Sequence, residues 1–294
     1  MFYRKKILLN LLNTFNGKLD KISFTKLLLL LCTSDEKNQK YEFVPYQYGA
    51  FSFTAYSDIN GLKKENIVYE DDQYFILRHF DEQSYKITEN DSNQINDLYR
   101  QFNGKTADDL MRITYSKYPY YAKNSRRKDL ITTEIDNAMK AAISNDKNTV
   151  LFDIGYEGKS LEAYLNLLIK NNIKTLVDVR KNPISMKYGF SKGFLSKRAK
   201  DLGIDYIHIP ELGIESDKRQ SLNSLEDYQN LFAQYENTTL KQNIESIEKV
   251  YNILMQDRRI ALTCFEADKN YCHRYRIATR INNLYPNEFK MEHL

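Results

Sequence analysis

Thiol, carboxylate, imidazole and guanidinium crowd into one stretch, IALTCFEADKNYCHRYRIATRI (Ile260–Ile281). An apolar run ends in Cys264 and Glu266. Cys272, His273 and Arg274 follow where a helical period begins with Ile277, Ala278 and Ile281. These groups thus stand where a strand ends and a helix starts, the edge at which open α/β sheets bind ligands. The first-turn amides and the guanidinium favour an anion there. A thiol at that helix start beside Arg274 is a candidate low-pKa nucleophile, and Glu266 a candidate acid or base. The residue six positions after Cys264 is Asn270, so the Cys-x5-Arg phosphatase loop is absent.

The preceding elements must bring further groups to the same edge. Val150–Ile154 reads as a buried strand that ends in Gly155-Tyr156-Glu157-Gly158, and Ser160 caps the helix after it. Ile173–Val179 reads as a second strand, ending at Asp178 and Arg180 ahead of Asn182-Pro183. A helix to Leu202 and a turn at Gly203 lead to a third strand, Tyr206–Ile209, which ends at Pro210-Glu211-Leu212-Gly213. Two amphipathic helices then lead to the fourth strand, RIALTCFE. Alternating strands and helices predict a mainly parallel sheet flanked by helices, Rossmann-like, whose strand ends share one edge.

Gly155, Glu157, Asp178, Arg180, Glu211, Cys264, Glu266, Cys272, His273 and Arg274 are therefore expected to line one pocket. Asp178, Glu211, Cys264, Glu266 and Cys272 are the candidate catalytic groups. Gly155, Tyr156, Glu157, Arg180, His273 and Arg274 are the candidate ligand-binding groups. Asp178 and Arg180 read either as a structural ion pair or as an anion receptor with its orienting carboxylate. Cys264 reads also as a small buried hydrophobe, and Cys272-His273 as packing at the helix start. The cysteine spacing is unlike the C-x2–4-C pairs of structural zinc sites, and adjacent Cys272 and His273 rarely both reach one ion, so no metal is expected. Nothing in the sequence calls for a cofactor.

The first half has a different texture. Ile7, Leu8, Leu11, Leu12 and Phe15 follow a helical period that Gly17 ends. Ser23 is a cap for a second helix built on Phe24, Leu27, Leu28 and Leu31. A third helix is expected over Ser52–Leu62, and IVYEDDQYFIL reads as strand, turn, strand. Three helices followed by a hairpin is the order of a winged helix-turn-helix, an α+β domain. The expected division is 1–125 for this domain, 126–147 for a helical linker and 148–294 for the α/β domain.

Two resemblances follow from these residues. DIGYEG, DVRKNPIS, YIHIPELG, ALTCFEAD and CHRYRIA together resemble the domain-of-unknown-function family 488 (DUF488), over about 148–294. The resemblance implies the fold and the site but not the reaction. Members are often linked with nucleic-acid processing and mobile-element conflict. Tyr156-Glu157 departs from the pattern, which has a short hydroxyl residue after the first glycine. YGAFSFTAYSDINGLKKENIV is similar to winged-helix-like domains of antitoxin-related and phage-associated proteins, with Ala50 for the usual proline and Asn66 for the usual glycine.

The totals set the remaining bounds. The chain has 294 residues, enough for two domains, with 42% hydrophobic and 28% charged residues. No apolar run reaches the length of a membrane span. Three cysteines do not suggest a disulfide framework, and a reducing cytoplasm is expected. A net charge of +4 permits a nucleic-acid partner. Arg126-Arg127-Lys128, beside several of the 23 tyrosines, is the candidate phosphate-contacting cluster. The expected function is a nucleic-acid- or nucleotide-directed enzyme, in phage defence through the family resemblance. The alternative is a non-catalytic DNA-binding regulator whose α/β domain senses a small anion. The partner is then nucleic acid, DNA foremost, or a nucleotide. A homo-oligomer is compatible with the sequence.

Overall fold

A computed structural model describes residues 1–34, 38–215, 222 and 224–294. The chain divides into two compact units, Met1–Ala142 and Ile143–Leu294.

The first unit opens with helix α1 (Tyr3–Thr14), short strand β1 (Lys18–Asp20) and helix α2 (Lys21–Thr33). The cap of α2 is Asp20, whose carboxylate accepts the Ser23 N–H; Ser23 lies inside the first turn instead of before it. The hairpin β2 (Val44–Tyr46) and β3 (Gly49–Phe51) precedes α3 (Phe53–Lys64), which Ser52 caps. Then come β4 (Val68–Glu70) and β5 (Tyr74–Leu77). β1 adds to that hairpin, giving an antiparallel sheet in the order β1-β5-β4. Leucines of α1 and α2 pack with Ile59 and Leu62 of α3 and with Phe75 of β5.

Helices α4 (Glu89–Phe102), α5 (Ala107–Lys117) and α6 (Thr133–Ala141) complete the unit. The stretch expected as a linker is packed: Leu130 and Ile135 share a buried cluster with Met111, Tyr115 and Ala122. Arg127 is engaged by the carboxylates of Asp108 and Asp129, with contacts of 2.6 to 3.3 Å.

The second unit contains β6 (Val150–Gly155), α7 (Leu161–Lys170), β7 (Thr175–Asp178), α8 (Lys192–Asp201) and β8 (Asp205–His208). Helices α9 (Leu225–Asn237), α10 (Thr239–Gln242) and α11 (Ile244–Asp257) follow, then β9 (Arg259–Cys264), α12 (His273–Leu284) and β10 (Lys290–His293). Among the described residues these form a five-stranded sheet, β10-β6-β9-β7-β8, with every pairing parallel. The expected α/β architecture with a parallel sheet is thus present. α12 does not close the unit, because β10 adds an edge strand after it.

Alternation along the strands divides the side chains between two faces. Leu151, Val177, Ile260 and Leu262 join a core with Phe232, Val250, Leu254, Ile277 and Ile281, from α9, α11 and α12. Thr263, one position on, turns to the opposite face, where the Tyr164 hydroxyl of α7 donates to it at 2.7 Å. No helix among the described residues is long and apolar enough to cross a membrane.

Candidate functional site

The register sets Gly155 beside Cys264 and Asp178 beside Thr263, so β6, β7 and β9 end together. The loops beyond them are tied to one another. Tyr156 and Glu157 N–H groups donate to the Cys264 and Phe265 carbonyls at 3.4 and 2.9 Å, and the Glu157 carboxylate accepts the Ala267 N–H at 2.9 Å. Gly155 is required by this closeness, since a Cβ there would stand 1.8 Å from the Glu266 carbonyl oxygen. Its role is backbone packing rather than ligand contact.

Of the residues expected to line one pocket, Arg180 and Cys264 share a cavity, while strand alternation sends the others to opposite faces of the sheet. Asp178 and Arg180 lie on the α7 side and form a buried ion pair, with Arg180 Nε 2.8 Å from Asp178 Oδ1. The rest of the guanidinium is also occupied. Nη1 donates to the Tyr156 hydroxyl at 2.9 Å and to the Phe190 carbonyl at 2.8 Å, and the Tyr206 hydroxyl donates to Asp178. Tyr156 itself is stacked on Phe190, with centroids 4.3 Å apart. The ion pair between Asp178 and Arg180 is present, and Arg180 is also among the residues at the strand-end cavity.

Arg274 lies on the other face and is fully buried. Its Nε pairs with Asp153 at 2.9 Å, while Nη1 and Nη2 donate to the carbonyls of Glu266 and Ala267 at 2.5 and 2.9 Å. These bonds clamp the loop after β9. The expectation of a low-pKa Cys272 also fails. Burial, then the Cys264 thiol and the Glu266 carboxylate, push its thiol well above the ordinary value, and Arg274 opposes them only in part.

Three side chains from this face do converge. The ligand atoms of Cys264, Cys272 and His273 lie within 4.8 Å of one another, all buried. The Cys264 thiol donates to Glu266 Oε2 at 3.0 Å, and His273 Nε2 donates to the Val179 carbonyl at 3.0 Å. Adjacent Cys272 and His273 both reach this point because Cys272, with φ −131° and ψ 136°, is extended and His273 is the first residue of α12.

A cavity of about 330 Å³ opens at the strand ends. Tyr156, Arg180 and Cys264 line it, together with Lys181, Asn182, Ser185, Lys187 and the exposed apolar residues Ile184, Met186 and Phe265. Glu211 lines a neighbouring cavity with Lys181. Lysines supply groups that the sequence reading did not single out. Lys187 Nζ donates to the Tyr156 carbonyl at 2.7 Å and Lys159 Nζ to the Gly155 carbonyl at 3.1 Å. Burial, then the charge of Lys159, lower the pKa of Lys187; burial, then Arg274, lower that of Lys159. The signal for Lys159 was its place in Gly158-Lys159-Ser160, between a strand and the capped start of a helix.

Residues 160–281 match the family model described as domain of unknown function DUF488. The match takes in Asp178, Arg180, Glu211, Cys264, Glu266, Cys272, His273 and Arg274, and leaves Gly155, Tyr156 and Glu157 outside it. No curated protein matches the chain.

Proposed function

We propose that the second unit is a nucleic-acid- or nucleotide-directed enzyme that holds a phosphate between Lys187, in the wall of the strand-end cavity, and Lys159 in the loop after β6, and a base against Met186 and Phe265. The observation that carries this reading is the pair of lysine amines at the strand ends, each bonded to a backbone carbonyl, with burial and then Lys159 lowering the pKa of Lys187 and the Glu157 carboxylate opposing them only in part. Cations gathered against their mutual repulsion favour an anion between them. The N-terminus of α7, capped by Ser160, adds backbone amides of the same sign. Exposed Phe265 offers a face on which any base can stack. Glu266 is the carboxylate we assign to proton transfer.

The first unit is read, in the same proposal, as a winged helix that delivers the second to DNA. The order α1, β1, α2, α3, β4, β5 and the sheet order β1-β5-β4 support that reading. Arg126 and Lys128 are exposed and remain its phosphate contacts; Arg127 is neutralised. The phage-defence setting rests on the family resemblance. The test is binding of the full chain to single-stranded and duplex DNA and to a nucleoside triphosphate across a salt series. Lys159→Ala and Lys187→Ala should each weaken binding and flatten the salt slope by about one. Unchanged affinity in the double variant overturns the proposal.

A further inference from the structure

We infer that Cys264, Cys272 and His273 form a binding site for a divalent transition metal ion of the zinc class. Tetrahedral zinc, with bonds of about 2.3 Å to sulfur and about 2.0 Å to nitrogen, needs donors about 3.5 to 3.8 Å apart. Cys264 Sγ and Cys272 Sγ lie 3.7 and 4.0 Å from His273 Nδ1. The two sulfur–nitrogen separations therefore close to bonding geometry with shifts of a few tenths of an ångström, and the three donor atoms all lie within 4.8 Å of one another. Two thiols and an imidazole suit zinc better than magnesium or calcium, which prefer oxygen.

The imidazole is prepared for this role. The Val179 carbonyl can only accept, so the proton sits on Nε2 and the Nδ1 lone pair faces the two sulfurs. A backbone carbonyl behind a ligating histidine is the usual outer partner of such sites. The charge balance is also favourable. Binding displaces one proton from each thiol to solvent, and the ion with two thiolates is neutral overall. The adjoining Arg274–Asp153 pair can stay intact.

Three protein donors leave a fourth position. Cys264 is among the residues that line the strand-end cavity, and Glu266 Oε2, 3.0 Å from its sulfur, is a carboxylate within reach of that position. In the enzymatic reading a substrate or water would take that position, with Glu266 beside it. Only this last point rests on the enzymatic reading above; the metal site and the phosphate site can fail separately.

The test uses the full chain, purified under reducing conditions and loaded with zinc or cobalt(II). Stoichiometric zinc by elemental analysis, released by a thiol-modifying mercurial, is expected. Cobalt should give a thiolate charge-transfer band and d–d bands of tetrahedral intensity. Cys264→Ser, Cys272→Ser and His273→Gln should each lower zinc affinity at least tenfold, whereas Cys32→Ser should retain stoichiometric metal. Wild-type protein that takes up neither metal overturns the site, whatever the variants do. So does a thiol titration of unreduced, denatured protein that finds one thiol instead of the three free cysteines, since Cys264 and Cys272 would then be a disulfide pair.

Discussion

Replacing Arg274 with methionine separates a loop clamp from an anion receptor. The substitution keeps the length of the side chain and removes its charge and donors. Asp153, 5% exposed in its side chain, then loses its guanidinium partner, although His293 stays 2.7 Å away. Breaking a buried ion pair from one side costs about 3–5 kcal/mol. The carbonyls of Glu266 and Ala267 lose their donors as well, at about 1–3 kcal/mol for each that water cannot reach. Because this loop is half-exposed, water reaches the freed carbonyls, and we take the low end of the ion-pair range, a loss of about 3 kcal/mol. That is a large share of the ~5–15 kcal/mol that stabilises a typical domain. Hydrogen exchange of β6 and β9 amides in the full chain, measured through a urea series, reads the second unit separately. An anion receptor would behave otherwise, with little stability lost and phosphate protecting only the wild type. A loss under about 1 kcal/mol would refute the clamp.

Other outcomes follow from single residues. Lys26 is 1% exposed in the first unit and bonds the Ala50 carbonyl at 3.1 Å. Burial pulls its pKa from 10.5 down to about 7. Between those values the unfolded chain holds a proton that the native chain lacks, so stability is fullest above the upper value and declines as pH falls toward the lower one. Lys26→Met should therefore stabilise on the order of 3 kcal/mol at pH 7, with the gain shrinking toward pH 10 in thermal melts. Gly155→Ala should cost about 3 kcal/mol or more, seen as a lower unfolding midpoint, because the new methyl meets backbone rather than a movable side chain. Arg127→Gln should leave the salt dependence of DNA binding unchanged while Arg126→Gln and Lys128→Gln reduce it, because Asp108 and Asp129 already neutralise Arg127.

The parts of this fold that speak in the sequence are those fixed by burial. β6, β7 and β9 are apolar runs because helices cover both faces of a parallel sheet, and Ser52 and Ser160 cap the helices that follow them. β10 is hidden because KMEH is a mostly exposed edge strand with no apolar pattern. β2 and β3 are three residues each and depend on pairing that periodicity does not report. At the site, the spacing of Asp178 and Arg180 correctly puts both on one side. What occupies a guanidinium is a matter of distant partners such as Phe190 and Asp153, which spacing does not reveal. The convergence of Cys264 with Cys272 and His273 likewise needs the position of α12 against β9. Lys159 and Lys187 reach one region only because the loops after β6 and β7 lie side by side.

The proposed function places a phosphate-bearing ligand in the cavity at the ends of β6, β7 and β9. Hydrogen exchange of the full chain with and without a saturating single-stranded oligonucleotide tests its location directly. Protection is expected in residues 156–160, at the Lys159 loop and the start of α7, and in residues 181–190, which carry Lys187 and Met186. Protection confined to residues 1–142, or found nowhere in the chain, would contradict it.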